Sequence, residues 1–293
     1  GWMNSVKVVL GFIVLAFSLK FLLTIDQSYN LNLLSRDIYL AIWIVIFTLL
    51  GLYLLGKIKF KFDSDIQHVG VLRLFLAIAS FTFVVYLIPG MFGAPLKAIS
   101  GLIPPQSSQK FNLSQNNQVA IPTSSSNNSL SLCDQPKYAD IFKLPYNLKG
   151  YFDYNQALDC ARKLGKPIFV DFVGHTCANC KDMEARVWSD PRVLERLNSS
   201  YIIVALYVDD RTELPESEWV TSTRDGKVKK TIGKKNADFQ ATRFNVNGQP
   251  YYVFLGTNEQ VLTEPMGYNT NIEEFVAFLD KGVEEFNKPK AGN

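Results

Sequence analysis

Three stretches of the chain, residues 5–25, 38–55 and 70–88, run through Leu, Ile, Val and Phe with almost no polar face left over. At about 1.5 Å of rise per residue, each approaches or crosses a hydrocarbon core about 30 Å thick. A buried helix of a soluble core keeps a polar stripe for water; these keep none, so three transmembrane helices are predicted. Lys7, Lys20 and Arg73 lie near helix ends, where long side chains snorkel to the interface. The apolar pattern ends near residue 103, and "PPQSSQKFNLSQNNQVAIPTSSSNNSL" follows without any sustained period. Residues 104–132 are therefore read as a flexible linker, with a coil reach of about 30 Å.

Beyond the linker the periods alternate between those of helices and strands. "YNQALDCARKLG" (154–165) places Ala157, Cys160 or Ala161, and Leu164 at helical spacing and ends on a glycine that fits a C-cap. "PIFVDFV" (167–173) and "YIIVALYVD" (201–209) are short apolar runs of the kind that form buried strands. Between them a helix is predicted from about Cys177 to Asn198, broken near Asp190-Pro191; another is predicted over 236–245. "PYYVFLG" (250–256) and "QVLTEPMG" (260–267) read as an antiparallel hairpin, and 271–286 as an amphipathic closing helix. Residues 211–235 show no period and are expected to be a partner-docking loop. The predicted fold class is an α-helical membrane segment (1–103) followed by an α/β domain (133–293), with a central mixed sheet flanked by helices.

Composition sharpens this division. The chain has 293 residues, 47% of them hydrophobic, and a formal net charge of +3. A balance so close to neutral, without an arginine-rich face, gives no electrostatic case for nucleic acid. Lys227, Lys229, Lys230, Lys234 and Lys235 read as a solvated loop. Lys57, Lys59 and Lys61 follow the second span, whereas the loop after the first offers only Arg36 against Asp26 and Asp37. The positive-inside rule then places 57–69 in the cytoplasm and everything after residue 90 on the far side. In a bacterium this means an inner-membrane protein with a periplasmic C-terminal domain, where disulfides form and exchange. Because position 1 is Gly and a span begins at once, the sequence is read as the C-terminal piece of a longer membrane protein.

"VDFVGHTCANCKDMEARVWSDP" (170–191) carries the chemistry. Cys177 and Cys180 stand at i and i+3 where the first central strand gives way to a helix, close enough for a disulfide across the first turn. Orphan amides and the helix dipole favour an anion there, which makes Cys177 the nucleophile and Cys180 the resolving thiol of a thiol-disulfide exchange. Asp171, in the strand before the pair, would be costly to bury without a task, and a general base for Cys180 is the task it fits. Glu184, one turn beyond Cys180, is either a second such acid or a solvated helix position. His175 is either a group that stabilises the thiolate or a plain loop residue. Zinc normally takes four ligands, often as two cysteine pairs; Cys133 and Cys160 are isolated and His68 falls on the cytoplasmic side, so no metal is expected. Cys160 reads as a core residue; Cys133 has no assigned role, and a Cys133–Cys160 disulfide is an alternative open to a domain outside the cytoplasm. The redox-active Cys177–Cys180 pair is the only redox group expected, with no cofactor.

"FVDFVGHTCANCKDMEARVWSDPRVL", "YIIVALYVDD" and "GQPYYVFL", following three spans, together resemble the C-terminal part of the DsbD family of thiol:disulfide interchange proteins. The resemblance covers essentially the whole chain and is closest over 166–268. It implies a periplasmic thioredoxin-like domain acting as a protein-disulfide reductase. Electrons would come from a cysteine pair in the upstream transmembrane domain, ultimately from cytoplasmic thioredoxin. They would pass to an N-terminal periplasmic domain of the same protein and on to oxidised periplasmic proteins, including those of cytochrome c maturation. By the same resemblance Cys177 and Cys180 match the redox pair, Asp171 and Glu184 match acids beside it, and Pro250 after Gln249 matches a cis-proline loop facing it. Two departures stand out. Thr176 and Ala178-Asn179 replace the surroundings of common thioredoxins, and residues 1–103 contain no cysteine, so the membrane pair must lie elsewhere. The competing readings are a stand-alone membrane-anchored thioredoxin of cytochrome c maturation and a redox-inert binding module.

Overall fold

The computed structural model describes residues 2–61, 63, 68–110 and 132–288. They form two compact units, one built on the N-terminal helices and one containing residues 132–288.

In the first unit α1 (Trp2–Ser28), α2 (Arg36–Leu54) and α3 (Val71–Met91) are each long and apolar enough to cross a membrane. Small residues let α2 and α3 approach closely. A Cβ on Gly51 would lie 2.7 Å from the Phe81 ring, and the Ser80 hydroxyl donates to the Phe47 carbonyl at 2.7 Å. Phe47 and Phe83 meet edge to face, their centroids 4.7 Å apart. The first residues of the expected linker belong to this unit. Arg36 donates to the Pro104 carbonyl at 2.6 Å, Gln109 to the Met91 carbonyl at 2.8 Å, and the Lys110 amide to Asp37 at 3.1 Å. The polar composition that marked residues 104–110 as linker supplies hydrogen bonds to helix ends instead. The remainder of that linker, 111–131, lies outside the described residues.

The first α-helix after residue 132 in the second unit is α4 (Tyr154–Leu164), whose N-terminus forms where the Asp153 carboxylate accepts from the Gln156 amide. It stops at Gly165, which takes φ 61°, a left-handed conformation glycine adopts at little cost. Ala157, Leu158, Cys160 and Ala161 are its buried face. Leu164, expected on that face, is 42% exposed, since the helix ends there and the chain turns away.

Strand β1 (Ile168–Val173) follows, buried along its full length. After it come α5 (Ala178–Met183), one π-helical turn over Glu184–Trp188, and α6 (Pro191–Ser200), which starts at the expected break because Pro191 is pre-shaped for a first helical position and Asp190 caps it. Strand β2 is Ile202–Tyr207.

Residues 211–235, expected to be an irregular docking loop, hold a small antiparallel ribbon of β3 (Val220–Thr221) and β4 (Val228–Lys229). Two residues per strand are too few to register as an alternating pattern. The Trp219 indole donates to the Leu214 carbonyl at 2.8 Å, with the Lys230 ammonium 4.3 Å above its ring. Three of the lysines read as solvated are thus engaged, since Lys229 reaches Asp225 at 2.7 Å and Lys235 lies 3.8 Å from Asp153. Helix α7 (Ile232–Phe244) begins earlier than its apolar pattern because the Thr231 hydroxyl accepts from the Lys234 amide.

Strand β5 (Tyr251–Leu255) then pairs antiparallel with β1, while β2 pairs parallel with it, giving the order β2-β1-β5. The predicted second arm of the hairpin is reduced to bridges, Tyr252 with Met266 and Leu255 with Val261. Thr263-Glu264-Pro265 interrupts it, and proline has no N–H to give the ladder. Helix α8 (Ile272–Asn287) closes the domain, with Asn271 as its cap.

Side chains alternate across a strand, so β1 feeds two cores. Ile168, Val170 and Phe172 pack with Ala157, Leu158 and Cys160 of α4. Phe169 and Val173 pack on the other face with Cys180, Met183, Val187, Leu197, Phe275 and Leu279. Each large apolar side chain so enclosed contributes about 1.5–3 kcal/mol. The two faces are covered as expected for a mixed sheet between helices.

Candidate functional site

The end of β1 delivers Gly174, His175 and Thr176 to the rim of the sheet, beside the end of the parallel strand β2. Asp209, just past β2, holds this short loop with one carboxylate: it accepts from the His175 amide at 2.8 Å, the Thr176 amide at 2.9 Å and the Thr176 hydroxyl at 2.9 Å. Gly174 allows the approach, because a Cβ there would stand 3.0 Å from Asp209 Oδ2.

Cys177 is the N-cap of α5, and its Sγ accepts from the Cys180 amide at 3.0 Å. Cys177 and Cys180 are joined in a disulfide with Cα atoms 5.3 Å apart. Cys177 is half-buried, whereas Cys180 is 3% exposed within the core. An incoming group therefore meets Cys177 first, and the amide that faces its sulfur is placed to stabilise a thiolate. Gly174, Thr176, Cys177, Asn179, Asp209 and Gln249 line an open depression of about 280 Å³ over the sulfur.

The opposite wall of that depression comes from the segment before β5. The Gln249-Pro250 peptide is cis, and Pro250 is buried at the start of the strand. Gln240 of α7, fully buried, ties this segment down: it donates to the Gly248 carbonyl at 2.9 Å and accepts from the Gln249 amide group at 2.9 Å.

Asp171 shares the parity of Phe169 and Val173 and so points to the face that contains Cys180. It is 5% exposed, and its Oδ1 has no hydrogen-bond partner among the described residues. Burial, and then the negative charge of Glu184, push its carboxyl well above the ordinary 3.8. Tyr252, its cross-strand neighbour on β5, and Tyr207 have phenols raised by burial and by both acids. Glu184 opens the π turn and is half-buried, so it is not a freely solvated helix position. Asp171 and the half-buried Glu184 thus act on one another, and burial with the neighbouring charge favours the protonated form of Asp171 over the ionised one.

His175 is drawn away from a plain loop role. Its Nε2 lies 2.8 Å from Asp210 Oδ2, and its ring stacks on Tyr207 at 4.6 Å and on Phe142 at 5.9 Å. Burial opposes ionisation of Asp210, but hydrogen bonds, those from His175 and Thr212 among them, hold its carboxyl below the usual value. Asp209, Asp210, Gln240 and Phe142 were not singled out from sequence. The two aspartates had a signal: they end the second buried strand, and the ends of adjacent parallel strands share a rim. Gln240 and Phe142 had none.

Cys133 and Cys160 form a second disulfide, with Cα atoms 5.5 Å apart, against the opposite face of the sheet. The alternative left open by the sequence is the one found.

Residues 154–282, less than half of the chain, match the Thioredoxin-like domain family. No curated protein matches the chain. Among solved structures, it is similar to a DsbH oxidoreductase at 19% identity, covering 47% of this chain and 85% of that one, with a TM-score of 0.37. A thioredoxin from Thermus thermophilus matches at 23% identity, over 45% of this chain and 85% of that one, with a TM-score of 0.33. The Neisseria meningitidis DsbD C-terminal domain in its reduced form matches at 17% identity, over 44% of this chain and 92% of that one, with a TM-score of 0.31.

Proposed function

We propose that this thioredoxin-like domain is the exchange module of a membrane-anchored protein-disulfide reductase. It would take electrons from a dithiol within the membrane and give them to disulfides of proteins on the far side. The observation that carries this is the Cys177–Cys180 disulfide itself, at a helix start, under an open depression and beside the face that holds the buried Asp171.

In the working direction the reduced pair attacks. The Cys177 thiolate displaces one sulfur of the partner disulfide and becomes joined to the other. The Cys180 thiol gives its proton to the Asp171 carboxylate and attacks Cys177 Sγ. The partner leaves as a dithiol, and two electrons have passed to it while Cys177–Cys180 becomes a disulfide. Burial keeps Cys180 from competing for partners, and a carboxylate whose protonated form is favoured by burial is a stronger base than an ordinary one. Gln249 and the cis Pro250 edge contribute the wall against which a partner backbone would lie.

The donor pair is supplied from outside these 293 residues, since the three helices carry no cysteine. Upstream membrane and N-terminal periplasmic domains, cytoplasmic thioredoxin as the remote donor, a bacterial inner-membrane location and recipients in cytochrome c maturation are parts of this proposal that rest on the resemblance and on the charge of the loops. The test is a redox titration of the full chain in detergent micelles against glutathione buffers, read by thiol alkylation and peptide mass. A reversible two-electron couple at Cys177 and Cys180, well below the potential of a strong periplasmic oxidant at about −120 mV, is expected. A pair that never cycles would leave only the binding-module reading.

A further inference from the structure

The second disulfide sits in surroundings unlike those of the first. Cys160 is 1% exposed on the buried face of α4, and Cys133 packs half-buried against the same core. The Cys133 amide donates to the Tyr151 hydroxyl at 3.0 Å, and that hydroxyl donates to Asp134 at 2.8 Å. Tyr151, fully buried, bridges in parallel to Val204 at the free edge of β2. The chain from Cys133 to Phe152 is therefore a strap, pinned at one end to α4 by the disulfide and at the other to the sheet edge.

Between those pins the strap crosses to the other face of the sheet. Phe142 stacks flat on Tyr207, centroids 4.5 Å apart and planes at 9°, and also touches the ring of His175. The Tyr146 hydroxyl donates to the Glu184 carbonyl at 3.0 Å. The strap thus backs three residues of the site around Cys177, although the two disulfides lie on opposite faces of the sheet.

We propose that Cys133–Cys160 is a structural, non-cycling disulfide that staples the 133–152 strap across the sheet and so holds the wall behind the exchange site. Its formation is an exchange: the two thiols lose two electrons and two protons, and the disulfide of a protein oxidant leaves as a dithiol. A domain that works as a reductant would thus itself be a substrate of oxidation, and only a chain exposed to such oxidants acquires the bond. The staple stands on its own geometry; its bearing on exchange rests on the reading of Cys177–Cys180 given above.

The test uses the full chain in detergent micelles, exposed to graded dithiothreitol and then alkylated, with peptide mapping of all four cysteines. Under native conditions Cys133–Cys160 should open at least about a hundredfold more slowly than Cys177–Cys180, and become as labile only in denaturant. Two pairs that open together in the native protein, or Cys133 and Cys160 recovered as free thiols from a chain made in an oxidising compartment, would overturn the staple. If Cys177–Cys180 resists while Cys133–Cys160 opens only in denaturant, the staple stands and the reductase reading falls. A second arm uses C133A/C160A. Trypsin should cut at the exposed Lys137, Lys143 and Lys149 at least about tenfold faster than in the wild type, with Cys177–Cys180 still able to cycle; unchanged cleavage counts against the staple. Should that variant fail to fold, the wild-type reduction experiment decides alone.

Discussion

Asp171→Asn isolates the buried acid. The wild-type carboxyl is enclosed, with Oδ1 unpartnered among the described residues, and burial together with the charge of Glu184 raises it well above 3.8. Asn keeps the shape and cannot ionise. Between the unfolded value and the raised native value, the native wild type holds a proton that the unfolded chain has released. Wild-type stability therefore falls as pH rises through that window. The variant escapes this loss, so its stability relative to wild type grows by up to about 1.4 kcal/mol for each pH unit above about 4, until the native value is passed. An offset of about 1 kcal/mol in either direction at low pH comes from placing an amide where an acid stood. For a unit of this size 1 kcal/mol moves Tm by about 2–4 °C, so the Tm difference should widen by about 3–6 °C per pH unit. Calorimetry of the full chain in detergent, at half-unit steps from about pH 4 to pH 7, reads it directly. A difference that is flat over this range, or that narrows with pH, would refute the assignment of a raised, buried carboxyl.

The same substitution should slow release of the partner from its mixed disulfide by about a hundredfold or more, seen as a quenched adduct on Cys177; an unchanged release rate removes Asp171 from the proton transfer. Cys180→Ser should trap that adduct outright and Cys177→Ser should form none, by gel shift; the opposite pattern would exchange the roles of the two thiols. Glu184→Gln should shorten the pH window over which Asp171→Asn gains on its parent, because the charge that helps raise Asp171 is gone; an unaltered window in the double variant would mean that burial acts alone. Gly282→Ala should lower Tm through about 1–3 kcal/mol of overpacking, since the new Cβ would stand 2.6 Å from the Tyr201 hydroxyl and 2.7 Å from Phe254, while Cys177 exchange is unaffected.

Local pattern made much of the molecule legible. Helices apolar on every side, a strand opened by Pro167, the cap at Gly165 and the break at Asp190-Pro191 each depend on residues within a turn or two of one another. The cysteine pair was legible for the same reason, and Asp171 because an acid inside an apolar strand has few bland explanations. Where reading failed, the deciding contacts were distant or the element was too short. The ribbon of β3 and β4 has two residues per strand, the hairpin arm after β5 is cut by Pro265, and residues 104–110 gain their order from helix ends far back in the chain.

The sequence by itself determined where the apolar spans lie, that an α/β unit follows, and which two cysteines stand at disulfide spacing where a strand gives way to a helix, since covalent neighbours and helical periods settle these. Only the tertiary structure decided what surrounds them. Asp209 and Asp210 reach the Cys177 loop, Gln240 fixes the Gln249-Pro250 edge, Cys133 finds Cys160, and Phe142 slides beneath His175. Each of these pairs is brought together by the crossing of strands and by the strap, and partners chosen by strand order and packing leave no period in the chain to be read.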